Sequence, residues 1–449
     1  MKENTEITVL GAGYVGLTTA TLFANAGIRV HLIEPNQQRL EVIKSGKSFF
    51  YEYGINELLS PVVSDGTLHV TDKYDECIPT SDIVFSCVGT PDKPDGSSNL
   101  SYVFSAAEET AKLAKSGAVY VQKSTVPVGT GTKVEKLFAD ANADIAYVSN
   151  PEFLREGTAV SDTLYFDRIV AGGSSGVAVN IVLECYRQLE SRRDNIADKA
   201  VIKPAPQEGK YIATTLNSAE LVKVASNAFL ALKISFANSI AKLADAANAD
   251  INEVMDAVGA DPRIGRAFLN AGRGYGGGCF PKDVSGLISS ALEYGVDLDI
   301  MSAAQDTNAS MPSYIVEKLS KEFDGNFGSK YVAVLGLSFK AGTSDVRKSP
   351  GISIANTLAN MGAVVAAYDP EANEEAREEL QDSVRLHSAA NQALDGAEAV
   401  VIATDWPEFI NRKADSFGPS VKIFVDAMNR FSQDDVKGAG LVYIGVGRS

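Results

Sequence analysis

The residues in this sequence best suited to covalent chemistry lie together in Gly274-Tyr275-Gly276-Gly277-Gly278-Cys279-Phe280-Pro281-Lys282-Asp283. Four glycines within five positions strip side chains from the backbone, so a ligand can approach it closely. Pro281 suits the first position of a helix, which sets Cys279 at a helix N-terminus. The partial positive charge there, together with Lys282, favours an anionic sulfur, so the sequence predicts a nucleophilic thiolate. A buried cysteine beside a glycine turn is the bland alternative for the same letters. Asp283, one helical turn beyond the cysteine, favours the first reading, because its carboxylate can orient a water or a hydroxyl in the same pocket.

Other candidate groups are spread along the chain. Asn150-Pro151-Glu152-Phe153-Leu154-Arg155-Glu156-Gly157 sets two glutamates four residues apart; on a helix they share a face, which raises one pKa and makes that carboxyl a proton carrier. The competing reading is a solvated acidic turn paired to Arg155. Lys223 and Asn227 stand one turn apart in a stretch without proline or glycine, about Ser218 to Asn248. An ammonium and an amide so placed can stabilise a developing oxyanion, whereas a lone lysine would be solvated. Arg263 is a candidate phosphate clamp, and the basic set Lys340, Arg347 and Lys348 fits a second phosphorylated ligand.

These groups need a scaffold, and the alternation of strands and helices supplies it. Ile7 to Leu10 read as a buried strand, followed by Gly11-Ala12-Gly13-Tyr14-Val15-Gly16 and a helix to about Ala26, the arrangement that cradles a dinucleotide pyrophosphate. The second strand, Arg29 to Ile33, ends in Glu34, whose carboxylate suits a ribose diol and repels a 2'-phosphate. NAD is therefore expected over NADP, although Arg39 stands near. Further strands run from Ile83 towards Thr90 and from Val119 towards Thr125, and both threonines are candidates to touch the cofactor or to cap the following helices. A proline-bearing stretch, Lys203 to Gln207, reads as a domain junction. The helix beyond it would span about 45 Å, and its all-round apolar character predicts burial between domains or subunits, hence an oligomer. A second alternating unit begins at Tyr331 and ends its second strand in Tyr368-Asp369-Pro370, echoing Ile33-Glu34-Pro35. Its glycines lack the GxGxxG spacing, so no second dinucleotide site is expected. Strands Ala399 to Ala403 and Val421 to Val425 complete its sheet, with Arg430 just beyond the last.

Length and composition narrow the class. The 449 residues exceed one core, and 45% hydrophobic with 22% charged residues describes an ordinary globular chain. A net charge of -16 argues against nucleic acid or an anionic membrane as partner. The start, Met1-Lys2-Glu3-Asn4-Thr5-Glu6, does not read as a signal peptide, and no apolar run looks long enough to cross a bilayer, so a cytoplasmic location is expected. Cysteines 77, 87, 185 and 279 and histidines 31, 69 and 387 suggest neither a disulfide framework nor a metal site.

GAGYVG at 11 to 16, VGTP at 88 to 91, STVPVGT at 124 to 130, NPEFLREG at 150 to 157, the Lys223 and Asn227 helix, GYGGGCFPKD at 274 to 283 and GLSFKAGTSDVR at 336 to 347 together resemble the UDP-glucose/GDP-mannose dehydrogenase family. The motifs cover nearly the whole chain. The resemblance implies two Rossmann-like doubly wound domains joined by a long central helix and a helical middle domain: residues 1–205 for NAD, 206–312 for dimerisation and 313–449 for the sugar nucleotide. It implies a four-electron oxidation in which Cys279 captures an aldehyde as a thiohemiacetal and then carries a thioester. Lys223 and Asn227 would steady oxyanions, Asp283 and Thr125 would hold a water, and Glu152 would transfer a proton for hydrolysis. The implied cofactor set is Gly11, Gly13, Tyr14, Val15, Gly16, Glu34, Arg39, Thr90, Thr125, Glu156 and Lys282. The implied substrate set is Glu152, Phe153, Leu154, Lys223, Asn227, Phe268, Tyr275, Gly276, Cys279, Phe339, Lys340 and Arg430, with Arg263 reaching over from a second subunit of a homodimer or larger homo-oligomer.

NPEFL, RIG at 263 to 265 and CFPKD are more like the UDP-glucose branch than the branches acting on N-acetyl sugars, while GLSFKAGT is as much like the GDP-mannose branch. The implied substrate is UDP-glucose, oxidised at C6 to UDP-glucuronate, with GDP-mannose or a UDP-N-acetylhexosamine as the alternative. One position departs from the family: a serine commonly precedes its cysteine, and here stands Gly278, which puts loop mobility and pocket size in question. A two-electron hydroxyacid dehydrogenase, which needs no cysteine, and a dinucleotide-sensing protein without catalysis are the rivals from further afield.

Overall fold

Short apolar runs such as Ile83-Val84-Phe85-Ser86, buried at every position, are the mark of strands covered on both faces, and among the described residues of the computed structural model fourteen strands form two sheets. The described residues are 5–205 and 208–448. Residues 1–4 of the polar start, and Pro206-Gln207 of the stretch read as a junction, lie outside them. The chain divides into two units, Met1–Ser226 and Asn227–Ser449.

The first unit holds β1 (Glu6–Leu10), β2 (Arg29–Ile33), β3 (Leu68–Thr71), β4 (Ile83–Ser86), β5 (Ala118–Gln122), β6 (Ile145–Ser149), β7 (Arg168–Gly173) and β8 (Lys210–Thr214), ordered 3-2-1-4-5-6-7-8. All neighbours pair in parallel except β6 with β7. The order reverses at β1, so the crevice where a doubly wound sheet takes its ligand lies at the ends of β1 and β4. Strands β3, β6, β7 and β8 were not foreseen from sequence; Ile145–Ser149 and Lys210–Thr214 are short and partly polar.

In the second unit β9 (Tyr331–Leu335), β10 (Val364–Tyr368), β11 (Arg385–Leu386), β12 (Ala399–Ile402), β13 (Ile423–Asp426) and β14 (Val442–Gly445) run parallel in the order 11-10-9-12-13-14. That repeats the 3-2-1-4-5-6 core of the first sheet, so the weak echo in sequence reflects a repeated architecture. The glycines repeat as well. A Cβ on Gly16 would meet the Gly11 carbonyl oxygen at 1.9 Å, and one on Gly351 would meet the Gly336 carbonyl oxygen at 2.4 Å. Each pair lets a helix pack tightly on its first strand. In the second unit residues 337–350 are inserted between the two glycines, which hid the correspondence.

The helix Leu216–Ala247 has 32 residues, and the boundary between the units falls within it. Its all-round burial is not realised within one chain: Val224 is buried, while Leu221, Phe229, Phe236 and Leu243 are 46%, 60%, 47% and 63% exposed. By length and composition the helix would suffice to cross a bilayer, which corrects the expectation that no such run exists. Its alanines raise the average apolarity without forming the unbroken aliphatic run sought in the sequence. The helix Asp299–Glu322 runs through position 312 with Pro312 inside it.

Candidate active site

In the first unit the glycine loop has the shape a pyrophosphate needs. Gly11 takes φ +90°, Gly13 caps the helix Tyr14–Asn25 with no side-chain hydrogen bond, and nothing lies within 4 Å of the place a Gly13 side chain would occupy. Glu34 is buried at the end of β2, its carboxylate accepting from the Ala12 and Asn36 N–H groups at 3.1 and 2.9 Å. The open helix N-terminus beside this carboxylate fits a dinucleotide. Arg39 stacks on Phe49, 4.8 Å from the ring centroid. Tyr14 turns its hydroxyl to the Glu52 carboxylate and accepts from the Gly157 N–H, tying the glycine-loop helix to the 150–157 segment, while Val15 is half-buried. Thr90 and Thr125 follow the ends of β4 and β5; neither caps a helix, since Leu100 and Gly129 precede the helices concerned.

The 150–157 segment is a loop, not a helix, so its two glutamates do not share a helical face. Pro151 and Gly157 break the pattern that the acid spacing suggested. Arg155 pairs with Asp162 at 2.6 Å. Glu152 instead meets Lys223 at 2.9 Å, with only 9% and 4% of the two side chains exposed. Burial pushes the Glu152 carboxyl up, but the Lys223 ammonium and the Leu154 N–H outweigh it and hold the pKa below the ordinary carboxylate value. This reverses the raised pKa that a pair of acids predicted. Phe153 lies under the Arg168 guanidinium at 4.0 Å and 5.5 Å from Lys223 Nζ. Glu156 is half-buried.

Beneath this pair runs a polar chain that sequence reasoning missed. Lys123 Nζ donates to the Tyr186 hydroxyl at 2.8 Å, and that hydroxyl donates to Asn150 Oδ1 at 2.7 Å. Burial lowers the Lys123 pKa. Its signal was a lysine two residues after the apolar run Val119 to Val121, at the end of a buried strand.

In the second unit Cys279 is the exposed N-cap of the helix Phe280–Glu293, so Pro281 sits one position later than expected. The other cysteines are buried, with thiols pushed up to about 11 at Cys77 and about 12 at Cys87 and Cys185, so they are poor nucleophiles. Asp283 is buried one turn beyond Cys279, its N–H donating to the Cys279 carbonyl at 2.8 Å. Its carboxylate accepts from Asn227 Nδ2 at 2.6 Å and from Lys282 Nζ at 2.8 Å. Tyr275 is buried and tied to Asn308 at 2.8 and 3.0 Å, Gly276 packs on the Lys348 carbonyl, and Gly277 on the Phe339 ring. Lys340 Nζ stands 5.6 Å from that ring.

Phe268 and Arg430 line one cavity of about 450 Å³ with Asn270, Arg273, Met428 and Asn429. Arg430 is held by Asp405 at 2.6 Å. Arg263 lies apart, 87% exposed and gripped by Asp261. Arg273, unremarked in sequence, is fully buried; its guanidinium donates to the Ser338 and Phe339 carbonyls at 3.3 and 2.7 Å. Asp369 occupies the place that Glu34 has in the first sheet, and its Oδ2 accepts from the Leu337 and Ser338 N–H groups and from Trp406 Nε1. The N–H groups that follow Gly336 are thus bound by the Asp369 carboxylate.

Residues 5–190 match the NAD binding domain of the UDP-glucose/GDP-mannose dehydrogenase family, residues 217–310 its central domain and residues 333–433 its UDP binding domain. A UDP-glucose 6-dehydrogenase of Rhizobium meliloti is 38% identical over 99% of both chains. Among solved structures, a UDP-glucose dehydrogenase from Pyrobaculum islandicum aligns with a TM-score of 0.88 at 35% identity, covering 100% of this chain and 99% of that one. A UDP-D-ManNAc dehydrogenase from Pyrococcus horikoshii aligns with a TM-score of 0.85 at 30% identity, covering 99% of each.

Proposed function

The chain belongs to the UDP-glucose/GDP-mannose dehydrogenase family, and from that premise we propose that it catalyses the NAD-dependent four-electron oxidation of UDP-glucose at C6, giving UDP-glucuronate. The observation that carries the reading is the exposed Cys279 at a helix N-terminus, one turn from a buried Asp283 bound to Asn227. Whole-length relatives and a solved structure named for UDP-glucose support the substrate.

Gly11, Gly13, Gly16 and Glu34 would hold NAD, with Thr90 and Thr125 at the neighbouring strand ends and Tyr14, Val15, Arg39, Glu156 and Lys282 as further contacts. Bound NAD supplies the hydride acceptor for each of the two oxidations. Asp283, with Thr125, orients the water that accepts the hydroxyl proton as the C6 alcohol becomes an aldehyde. Cys279 attacks that aldehyde, forming a thiohemiacetal whose oxyanion Lys223 and Asn227 steady; its oxidation leaves a thioester on the sulfur. Glu152, ionised because its pKa is depressed, takes a proton from the water that displaces the thiolate and frees the carboxylate. Per sugar, one water is consumed and two hydride equivalents and three protons leave. Covalent capture draws the uphill first oxidation forward and keeps the aldehyde from escaping.

The nucleotide half of the substrate suits the cavity of Phe268 and Arg430, with Phe339, Lys340, Tyr275 and Gly276 as further substrate contacts; the family resemblance adds Phe153 and Leu154 to the substrate set. In functional terms residues 1–205 serve the cofactor, 206–312 assembly and 313–449 the UDP group. The exposed Phe229, Phe236 and Leu243, spaced seven residues apart on the long helix, support a homodimer, with Arg263 offered to a second copy. The enzyme works in the cytoplasm. The likeness to a UDP-D-ManNAc dehydrogenase favours one second reading, a UDP-N-acetylhexosamine 6-dehydrogenase. NADH production across a panel of sugar nucleotides decides between them: a kcat/KM highest for UDP-glucose supports the proposal, and preference for an N-acetylated sugar overturns it.

A further inference from the structure

A guanidinium lies on the peptide that precedes the nucleophile. A Cβ added to Gly278 would stand 2.3 Å from Arg347 Cζ, 2.4 Å from Nη1 and 2.5 Å from Nη2, so a side chain at 278 and the Arg347 head compete for one space. Gly278 has no left-handed φ, so the backbone does not demand glycine there. What the missing side chain provides is room, at the position where the family commonly carries serine.

Arg347 is held in this place from several directions. Its Nε reaches both oxygens of Asp345 at 2.9 and 3.1 Å and its Nη2 reaches one at 2.5 Å. Its own N–H also bonds Asp345 at 2.9 Å, and its carbonyl accepts from the Gly277 N–H at 2.8 Å. Backbone and side chain of one residue therefore grip successive glycines of the loop that carries Cys279. Charged groups around this loop are Arg273 directly before it, Lys282 and Asp283 on its own helix, paired at 2.8 Å, and Lys340, Asp345, Arg347 and Lys348 on the inserted segment 337–350.

We propose that Arg347, admitted by Gly278, is a positioning residue for the Cys279 step: it clamps the loop and sets a fixed positive charge one residue from the sulfur, favouring the thiolate. This rests on the reading of Cys279 as the nucleophile. It also gives the Gly278 departure a purpose, because the cation takes the space a serine hydroxymethyl would fill.

The test is the rate of Cys279 alkylation by iodoacetamide against pH on the full-length protein without substrate, with Cys279→Ala giving the background. Arg347→Gln should raise the alkylation midpoint by about 0.5 to 1 pH unit and slow alkylation at pH 7 several-fold; the exposure of the guanidinium keeps the shift at this low end. Gly278→Ser, which the backbone accepts, should do the same by displacing the guanidinium, and it keeps the test open should Arg347→Gln fail to fold. Arg347→Lys should fall between. Unchanged midpoints in both variants overturn the proposal. A shifted midpoint in a protein that oxidises no sugar nucleotide would overturn the proposed function and leave the pairing standing.

Discussion

Glu152 and Lys223 show how the chemistry of one residue is set by a partner far away in sequence. The Glu152 pKa lies below its ordinary value of 4.5, so the stability this pair contributes is present above pH 4.5 and is lost as pH falls through the lower folded value. Thermal unfolding of Glu152→Gln should therefore lose sensitivity to acid below about pH 4.5 relative to the parent, and the variant should be destabilised by about 3 kcal/mol because a buried ammonium loses its carboxylate. If Glu152 serves hydrolysis, the same variant should accumulate the acyl-enzyme, seen by mass spectrometry as the chain plus an acyl group on Cys279; a slow variant without that adduct would remove Glu152 from the hydrolytic step. The lettering revealed Cys279 and Asp283 because helix spacing is local, and Lys223 and Asn227 for the same reason. It did not reveal that Lys223 pairs with Glu152, or that Asn227 donates to Asp283, because those contacts depend on how distant segments meet. The acid pair at 152 and 156 misled, since spacing alone says nothing until a helix exists.

Elements carry their own tests. Glu220, on the long helix, accepts from the Gly129 and Gly131 N–H groups at 2.7 and 2.8 Å and so caps the helix Thr130–Asp140 that follows Thr125. Burial nevertheless raises its pKa to about 7, against the opposing pull of those two N–H groups. Folding thus favours its protonated form, and the stability it contributes is full below pH 4.5 and lost as pH rises through about 7. Melting temperatures of Glu220→Gln should flatten across that window, and a slope equal to the parent's would contradict the assignment. Gly16→Ala should cost about 3 kcal/mol and abolish NAD binding, because its methyl would overlap the Gly11 carbonyl; calorimetric titration with NAD checks this. The first glycine loop was plain in sequence because its three glycines stand close together. The second was not, because the insertion at 337–350 separates Gly336 from Gly351, and that insertion is the segment that holds the cysteine loop.

At the scale of the molecule, the sheet order repeated in the two units was legible only as an echo of two strand ends, since edge strands such as Arg385–Leu386 are too short to leave a pattern. The oligomer was expected from a helix too apolar for solvent, and the exposed Phe229, Phe236 and Leu243 keep that expectation open to a direct test. Sedimentation of Phe229→Asp with Phe236→Asp should show a monomer where the parent is a dimer; a parent that sediments as a monomer would contradict the assembly. For the account as a whole, the decisive measurement is the ratio of NADH formed to UDP-glucose consumed at completion. Capture of the aldehyde by Cys279 requires two NADH for each sugar, with UDP-glucuronate as product, whereas a ratio of one, with an aldehyde released, would contradict the covalent mechanism at its root.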